Sequence, residues 1–448
     1  MLRLAHAALV LLVITTSSFA QGAEGDPTDP DRIPGIDEQS VGIVPPGPTA
    51  PIAVVEGPGI RLSENSALYP SVGADTGFVS NVFFEESNAE MAGVFRLIGQ
   101  IGTGSHNARR RGYAGVMPAF IHREELRLTY DFYLSGDEYV SGQNGLGVAG
   151  TFRGTVHPGR RWSFLYLDAF ERVIRAPNFE SGERIDRNIN RLYLGLQFAP
   201  PGRSVKGVLR YTNTIDIFEK DAHQFANRMQ NAFGLMVSWR FRPKTVLFGD
   251  VSQGFNVPLG NGTVYAEPKT SSFPLALTTG VQTLLTLKTS LIARVGYTNG
   301  FYSTGASFGG VIGGVEAGWR YSPLGRVTAM YEYAFEDSIN ANYFRDHRVR
   351  LGVTQLFAPF ALSVEPELRF RQYRGVQALI PMAPADTRDD FIAAVSATAR
   401  YNFRDRWAAV AQYRFSTLQT NFRYTFDGDT DDPTFLRHEL VFGIRAGL

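Results

Sequence analysis

Cysteine is absent from this 448-residue chain. That excludes disulfide frameworks, thiolate metal sites and cysteine nucleophiles together. A surplus of one charge is missing as well: 44 lysines and arginines face 43 carboxylates, a formal net charge of +1. Such a balance gives no general attraction to nucleic acid or to an anionic membrane surface. At a mean hydropathy of −0.12 the chain is too polar for a bundle of membrane helices, each of which needs about 20 apolar residues. Histidine is scarce, seven in all; the seven are scattered without an H-x-x-x-H spacing, so a zinc site lacks its ligands. What the chain has in abundance is glycine (46) and aromatic side chains, with 33 Phe, 19 Tyr and 4 Trp.

The N-terminus reads as an export signal over residues 1–20. Arg3 supplies the positive start, residues 7–14 are an unbroken apolar run, and Ser18 and Ala20 give the small-x-small pattern before Gln21. Residues 21–66 form a leader rich in Pro, Gly and Asp, with few apolar side chains to bury. Asp26-Pro27, Asp29-Pro30 and Pro45-Pro46-Gly47-Pro48 mark it; such a stretch stays extended or disordered on its own.

From Leu68 onward the period is two. Leu126, Leu128, Tyr130, Phe132 and Leu134 alternate with Glu125, Arg127, Thr129, Asp131 and Tyr133, and Phe233, Leu235, Val237, Trp239 and Phe241 alternate with Ala232, Gly234, Met236, Ser238 and Arg240. Val327 to Phe335, Phe391 to Phe403 and Leu440 to Leu448 repeat the pattern at every second residue. Alternation over ten or more residues predicts strands about twice the usual length of 5–6, as a tilted strand crossing a bilayer needs.

Tight turns are expected near Gly159, Gly202, Pro243, Leu287, Leu324, Pro359 and Asp405, with longer polar loops such as 254–271, 374–389 and 419–434 between them. Their spacing is 41 residues per hairpin. Residues 67–448 then hold roughly 18 strands, within a range of about 16 to 20, in a closed antiparallel barrel. A propeller blade of similar period needs four short strands, and each interval here has room for two long ones. The weakest stretch is 105–124, where His106–Gly112 is basic and 117–121 extends a strand.

Trp162, Trp239, Trp319 and Trp407 all stand within a few residues of a tight turn. Tryptophan favours the membrane–water interface, so these four are candidates for an aromatic girdle on the tight-turn side. Short turns usually face the periplasm, which would place both termini there. The fold expected is therefore all-β: a transmembrane antiparallel outer-membrane β-barrel behind a signal peptide and a disordered leader, integral to a Gram-negative outer membrane.

With the apolar face toward lipid, the other face lines a lumen. The candidate channel-lining residues are Arg348, Arg350, Glu365, Glu367, Arg369, Arg371, Arg400 and Arg414, followed along the chain by Glu439 and Arg445. Among the first eight, arginines outnumber carboxylates six to two, which favours anions. Two readings stay open. The charges form the constriction of a water-filled channel, or they are ion pairs bracing a filled lumen. Asp346-His347 is the one pair that invites a hydrolase reading, and geometry decides it. Gly309-Gly310 and Gly313-Gly314 fit a thin wall and no phosphate loop. Arg109-Arg110-Arg111 is a solvated basic run.

Residues 68–87, LYPSVGADTGFVSNVFFEES, resemble the opening strand of the beta-barrel porin type 2 family, especially at Asn81-Val82-Phe83. The resemblance implies a channel-forming barrel. It also implies association with exopolysaccharide systems, hence an alternative role as an export conduit working with periplasmic polysaccharide-export proteins. Outer-membrane barrels commonly end in an aromatic residue for the barrel-assembly machinery, and this chain ends in Leu448. The leading expectation is passage of polar solutes or polymer, with no catalytic site, metal, cofactor or nucleic-acid partner. A barrel enzyme or a structural barrel is the weaker alternative.

Overall fold

The computed structural model describes residues 59–448 apart from 64–65, 87–88, 106–118, 174–185, 201, 203, 263–267, 358, 377–386, 405, 427–428 and 432. The expected export signal and most of the leader lie outside the described residues, as does the basic run 109–111. Eighteen long strands follow one another. They begin with β1 (Ser66–Val79), β2 (Ala92–Ser105), β3 (Phe120–Leu134), β4 (Gly145–Val156), β5 (Trp162–Val173) and β6 (Arg187–Phe198). Next come β7 (Val205–Phe218), β8 (Arg228–Arg242), β9 (Thr245–Pro258), β10 (Leu275–Leu284), β11 (Thr289–Asn299) and β12 (Gly309–Ser322). The set ends with β13 (Gly325–Asp337), β14 (Ala341–Phe357), β15 (Phe360–Val376), β16 (Thr387–Arg404), β17 (Trp407–Thr420) and β18 (Phe435–Gly447).

Each strand pairs antiparallel with its neighbours in sequence, and β18 returns to β1 in a register running from Ser71↔Gly447 to Val79↔Glu439. The sheet is closed and has no free edge, so backbone donors and acceptors are satisfied without water. The seven expected tight turns join β4–β5, β6–β7, β8–β9, β10–β11, β12–β13, β14–β15 and β16–β17. In the weak stretch, β2 ends at Ser105 and β3 starts at Phe120. A two-residue strand, Ile60–Arg61, is laid on β1, and Gly59 N donates to Leu448 O at 3.0 Å. The chain thus enters and leaves the barrel at the tight-turn rim.

The two faces follow the alternation. Phe233, Leu235, Val237, Trp239 and Phe241 point outward and are exposed, as are Leu440, Phe442 and Ile444. Between the latter, Glu439, Val441 and Arg445 point inward and are buried. An apolar surface running right round a barrel far exceeds the few hundred Å² that a soluble monomer exposes, and it requires lipid.

One expectation changes. Asn81-Val82-Phe83 is not part of the opening strand, because β1 ends at Val79. These residues begin the β1–β2 connection, which folds back onto the inward face of β17 and β18. Asn81 Nδ2 donates to Leu436 O (3.2 Å) and to Glu85 O (2.7 Å), and Arg437 Nη1 donates to Asn81 O (2.8 Å). Val82 is buried with Val79, Val94, Tyr133, Val140 and Val441. Val140 comes from a four-residue helix, Glu138–Ser141, in the β3–β4 connection, capped by Asp137. Two connections therefore fill this part of the loop-side lumen.

Candidate functional site in the barrel lumen

All eight candidate lining residues face inward, and strand register explains which of them meet. Across β14 and β15 the pairs Asp346↔Arg371 and Arg350↔Glu367 set opposite charges side by side, while Arg348↔Arg369 sets two arginines opposite each other. Like charges in that position repel, and the neighbouring carboxylates relieve it. Arg371 makes a two-pronged pair with Asp346 at 2.7 Å on both arms. Arg369 Nε donates to Glu367, whose other oxygen takes Arg350 at 2.6 Å; Arg350 also reaches Glu365 at 3.1 Å. Arg348 stands 3.4 Å from Glu332, 3.3 Å from Glu336 and 3.6 Å from Asp346. Arg294 on β11 closes the ladder on Glu332.

The expected arginine excess is not found at this wall. Asp346, Glu332 and Glu336 join the ladder beside Glu365 and Glu367, so five carboxylates face Arg294, Arg348, Arg350, Arg369 and Arg371. Parity could have found Asp346, which shares the inward face of Arg348 and Arg350. Glu332 and Glu336 were out of reach, because they lie on β13 and only the pairing Glu332↔Arg348 brings them in.

Arg414 belongs to a second cluster. It approaches Glu439 at 4.0 Å, beside Arg437 at 3.6 Å and Arg96 at 3.4 Å, and Arg96 also holds Asp131 at 2.6 Å. Arg400 is separate from both: it lies near the tight turn and donates to Asn402 Oδ1 at 2.8 Å. Burial divides the charges into two kinds. The side chains of Arg371 and Asp346 are 0% and 2% exposed, whereas that of Arg294 is 44% exposed. A charge taken from water without its partner costs several kcal/mol, so the buried pairs brace the wall. Arg294, though paired with Glu332, is left open to the lumen.

Phe84, at φ 62°, packs over the second cluster from the infolded β1–β2 connection. Its ring meets Phe435 edge-on at 5.0 Å, and the Arg437 guanidinium lies 4.3 Å from the ring centre. A left-handed conformation is uncommon for a bulky residue and persists where surrounding contacts hold it. A second tie crosses the loop-side mouth. Arg228 on β8 pairs with Asp337 on β13, Lys269 Nζ donates to Ala341 O at 2.8 Å, and Ile339 is buried among Phe218, Phe225 and Ala226. Tyr302, in the β11–β12 connection, donates to Asp337 Oδ1 at 3.0 Å. Burial, reinforced by Asp337, pushes its phenol well above the ordinary range and keeps it a neutral donor.

Asp346 and His347 point to opposite faces of β14. Asp346 is inward on Arg371, while His347 is outward, with Tyr331 Oη at 2.9 Å from its Nδ1 and its ring stacked on Tyr333. The two cannot act as a pair. The four tryptophans are all outward and about half exposed, at or near the turn ends of β5, β8, β12 and β17. Aromatic neighbours extend the row, with Trp162–Phe198 at 4.7 Å and Trp319–Tyr321 at 5.8 Å.

No protein-family model matches the chain, and no curated protein matches it. Among solved structures it is similar to OccK2 (OpdF) of Pseudomonas aeruginosa, with 11% identity and a TM-score of 0.43 over 85% of this chain and 98% of that one. It is also similar to OccAB4 of Acinetobacter baumannii (10%, TM-score 0.40, 87% and 100%) and to the siderophore receptor PirA of Pseudomonas aeruginosa (10%, TM-score 0.40, 87% and 81%). The barrel itself is established by this chain's own strand pairing.

Proposed function

We propose that this protein is a porin-like outer-membrane channel that passes polar solutes. One observation carries the reading: around the closed sheet an apolar, exposed outer row alternates with a charged inner row that includes water-exposed Arg294. Such a wall separates lipid from an aqueous path. In planar bilayers the purified protein should give discrete conductance steps, and liposomes carrying it should swell in small sugars. Folded protein that does neither overturns the proposal. Arg348, Arg350, Glu365, Glu367, Arg369, Arg371, Arg400 and Arg414 are lining residues in this reading, with Arg294 nearest the solute.

The tight turns, both termini and the tryptophan row lie on the periplasmic side in this proposal, and insertion is by the barrel-assembly machinery. The resemblance of residues 68–87 supports a second, finer reading, an export conduit for exopolysaccharide with periplasmic partners. A clean deletion separates the two. Loss of a surface or secreted glycan with unchanged small-solute uptake favours the conduit, and normal glycan output favours the diffusion channel.

A further inference from the structure

Polar side chains stand on the outward face as well as the inward one, where β13 to β17 leave the apolar band on the loop side. On β14 and β15 the outward row runs from the tight-turn ends, Phe357 and Phe360, to His347 and Phe370, ten residues on each strand. At a rise of ~3.3 Å and a tilt of ~40° that is about 25 Å along the axis, the full height of an apolar band. Two cross-strand rows meet there. The lower is Tyr333, His347, Phe370, Phe391 and Gln419; the upper is Phe335, Arg345, Gln372 and Asp389. His347, Phe370, Gln372, Asp389, Phe391 and Gln419 line a cleft of about 520 Å³ on this outer face.

Arg345 donates from Nε to the neutral Gln372 Oε1 at 2.5 Å and has no carboxylate partner among the described residues. Arg172 on β5 is the contrast. It too faces outward ten residues from its tight-turn end, Trp162, but Glu219 takes it two-pronged at 2.6 Å on both arms. At His347, a Tyr331 hydroxyl donating to Nδ1 at 2.9 Å leaves Nε2–H as a second donor. Asp389 stands 3.8 Å from Arg374, so those two charges answer each other and the charge of Arg345 remains over. Below the cleft the outward row of β16 is small: Ala393, Val395, Ala397 and Ala399. It runs between Leu362, Val364 and Leu368 on β15 and Tyr413 and Phe415 on β17, a shallow apolar furrow.

A guanidinium and an imidazole N–H above such a furrow match a molecule with an anionic head and alkyl chains. The planar guanidinium suits phosphate oxygens, which it holds by paired N–H bonds. Its position at the edge of the apolar band costs little, about 0–1 kcal/mol. We propose that Arg345 and His347 hold the phosphate of one lipid of the loop-side leaflet, with its chains laid along the β16 furrow. The site requires that the barrel stand in lipid and does not depend on conduction.

Native mass spectrometry of the full-length protein in dodecyl maltoside with a small excess of diphosphoryl lipid A should show one lipid retained per barrel. Arg345→Gln combined with His347→Gln should lower retention about tenfold while heat-modified mobility persists. Ala397→Trp, which fills the furrow, should lower it with the phosphate contacts intact. Arg172→Gln should retain lipid as the parent does. Fully dephosphorylated lipid A should be retained about tenfold less, and a large excess of inorganic phosphate should not displace the intact lipid. No retention by the parent, equal retention of the dephosphorylated lipid, or equal losses in Arg172→Gln and the double variant would overturn the site. Displacement by inorganic phosphate would make it a site for the free ion and overturn the lipid as occupant. Specific retention by a protein that conducts nothing would uphold the lipid site and count against the channel reading alone.

Discussion

Asp75 and Arg445 stand 370 residues apart in the chain and meet across the seam between β1 and β18, with two guanidinium–carboxylate hydrogen bonds of 2.5 and 2.9 Å. Both side chains are buried. Gly73 and Gly443 make the space: a Cβ on Gly443 would stand 1.8 Å from Asp75 Oδ1, and one on Gly73 2.7 Å from Arg445 Cδ. Closure of the barrel is thus reinforced by one ion pair set where two side chains are missing.

The folded protein should resist SDS at room temperature and change mobility only on heating, because a closed sheet offers no edge from which unfolding starts. Arg445→Met strands a buried carboxylate and should cost about 3–5 kcal/mol, lowering the conversion temperature. Asp75→Leu combined with Arg445→Met should recover most of the loss. A single variant as heat-stable as the parent would show that the pair contributes nothing to closure.

Arg371 and Arg294 should separate structure from selectivity. Arg371→Met leaves Asp346 buried without its two-pronged partner, so it should lower stability by about 3–5 kcal/mol. Arg294→Glu, at a water-exposed position, should leave the conversion temperature within a few degrees of the parent. It should move bilayer reversal potentials toward cations, most clearly at low salt, where screening is weakest. The opposite assignment of the two effects would mean that the bracing and solute-facing arginines have been interchanged.

Phe84 is the side chain by which the infolded connection covers Phe435 and Arg437. Phe84→Ala should raise single-channel conductance while the heat-modified mobility persists. Conductance equal to the parent in a correctly folded Phe84→Ala protein would remove this connection from the solute path.

Topology can be read from intact cells. An epitope inserted in 421–434 or 377–386 should bind antibody without permeabilisation, and one in 199–204 should require it. The reverse pattern would turn the barrel over in the membrane.

The strand count and the turn positions were legible because each depends on local chemistry. Lipid on one side and a polar interior on the other impose a period of two, and short turns recur between strands of membrane-crossing length. Inward and outward assignments at 348, 350, 365, 367, 369 and 371 follow from the same parity. Parity also splits Asp346 from His347, which adjacency alone had joined.

What parity cannot supply is a partner. Arg371 reaches Asp346, Arg348 reaches Glu332, and Arg96 reaches Glu439 only because particular strands are neighbours in a particular register. Whether six arginines amount to a surplus depends on carboxylates that other strands bring to them. The inward fold of Asn81-Val82-Phe83 was likewise invisible, since an apolar tripeptide after a strand reads as more strand until Val94, Tyr133 and Val441 are brought around it. The sequence by itself determined a barrel, its size and its two faces, because these follow from a repeating local pattern. The tertiary structure decided which charges are neutralised and which connections fill the lumen, because those depend on contacts between residues hundreds of positions apart.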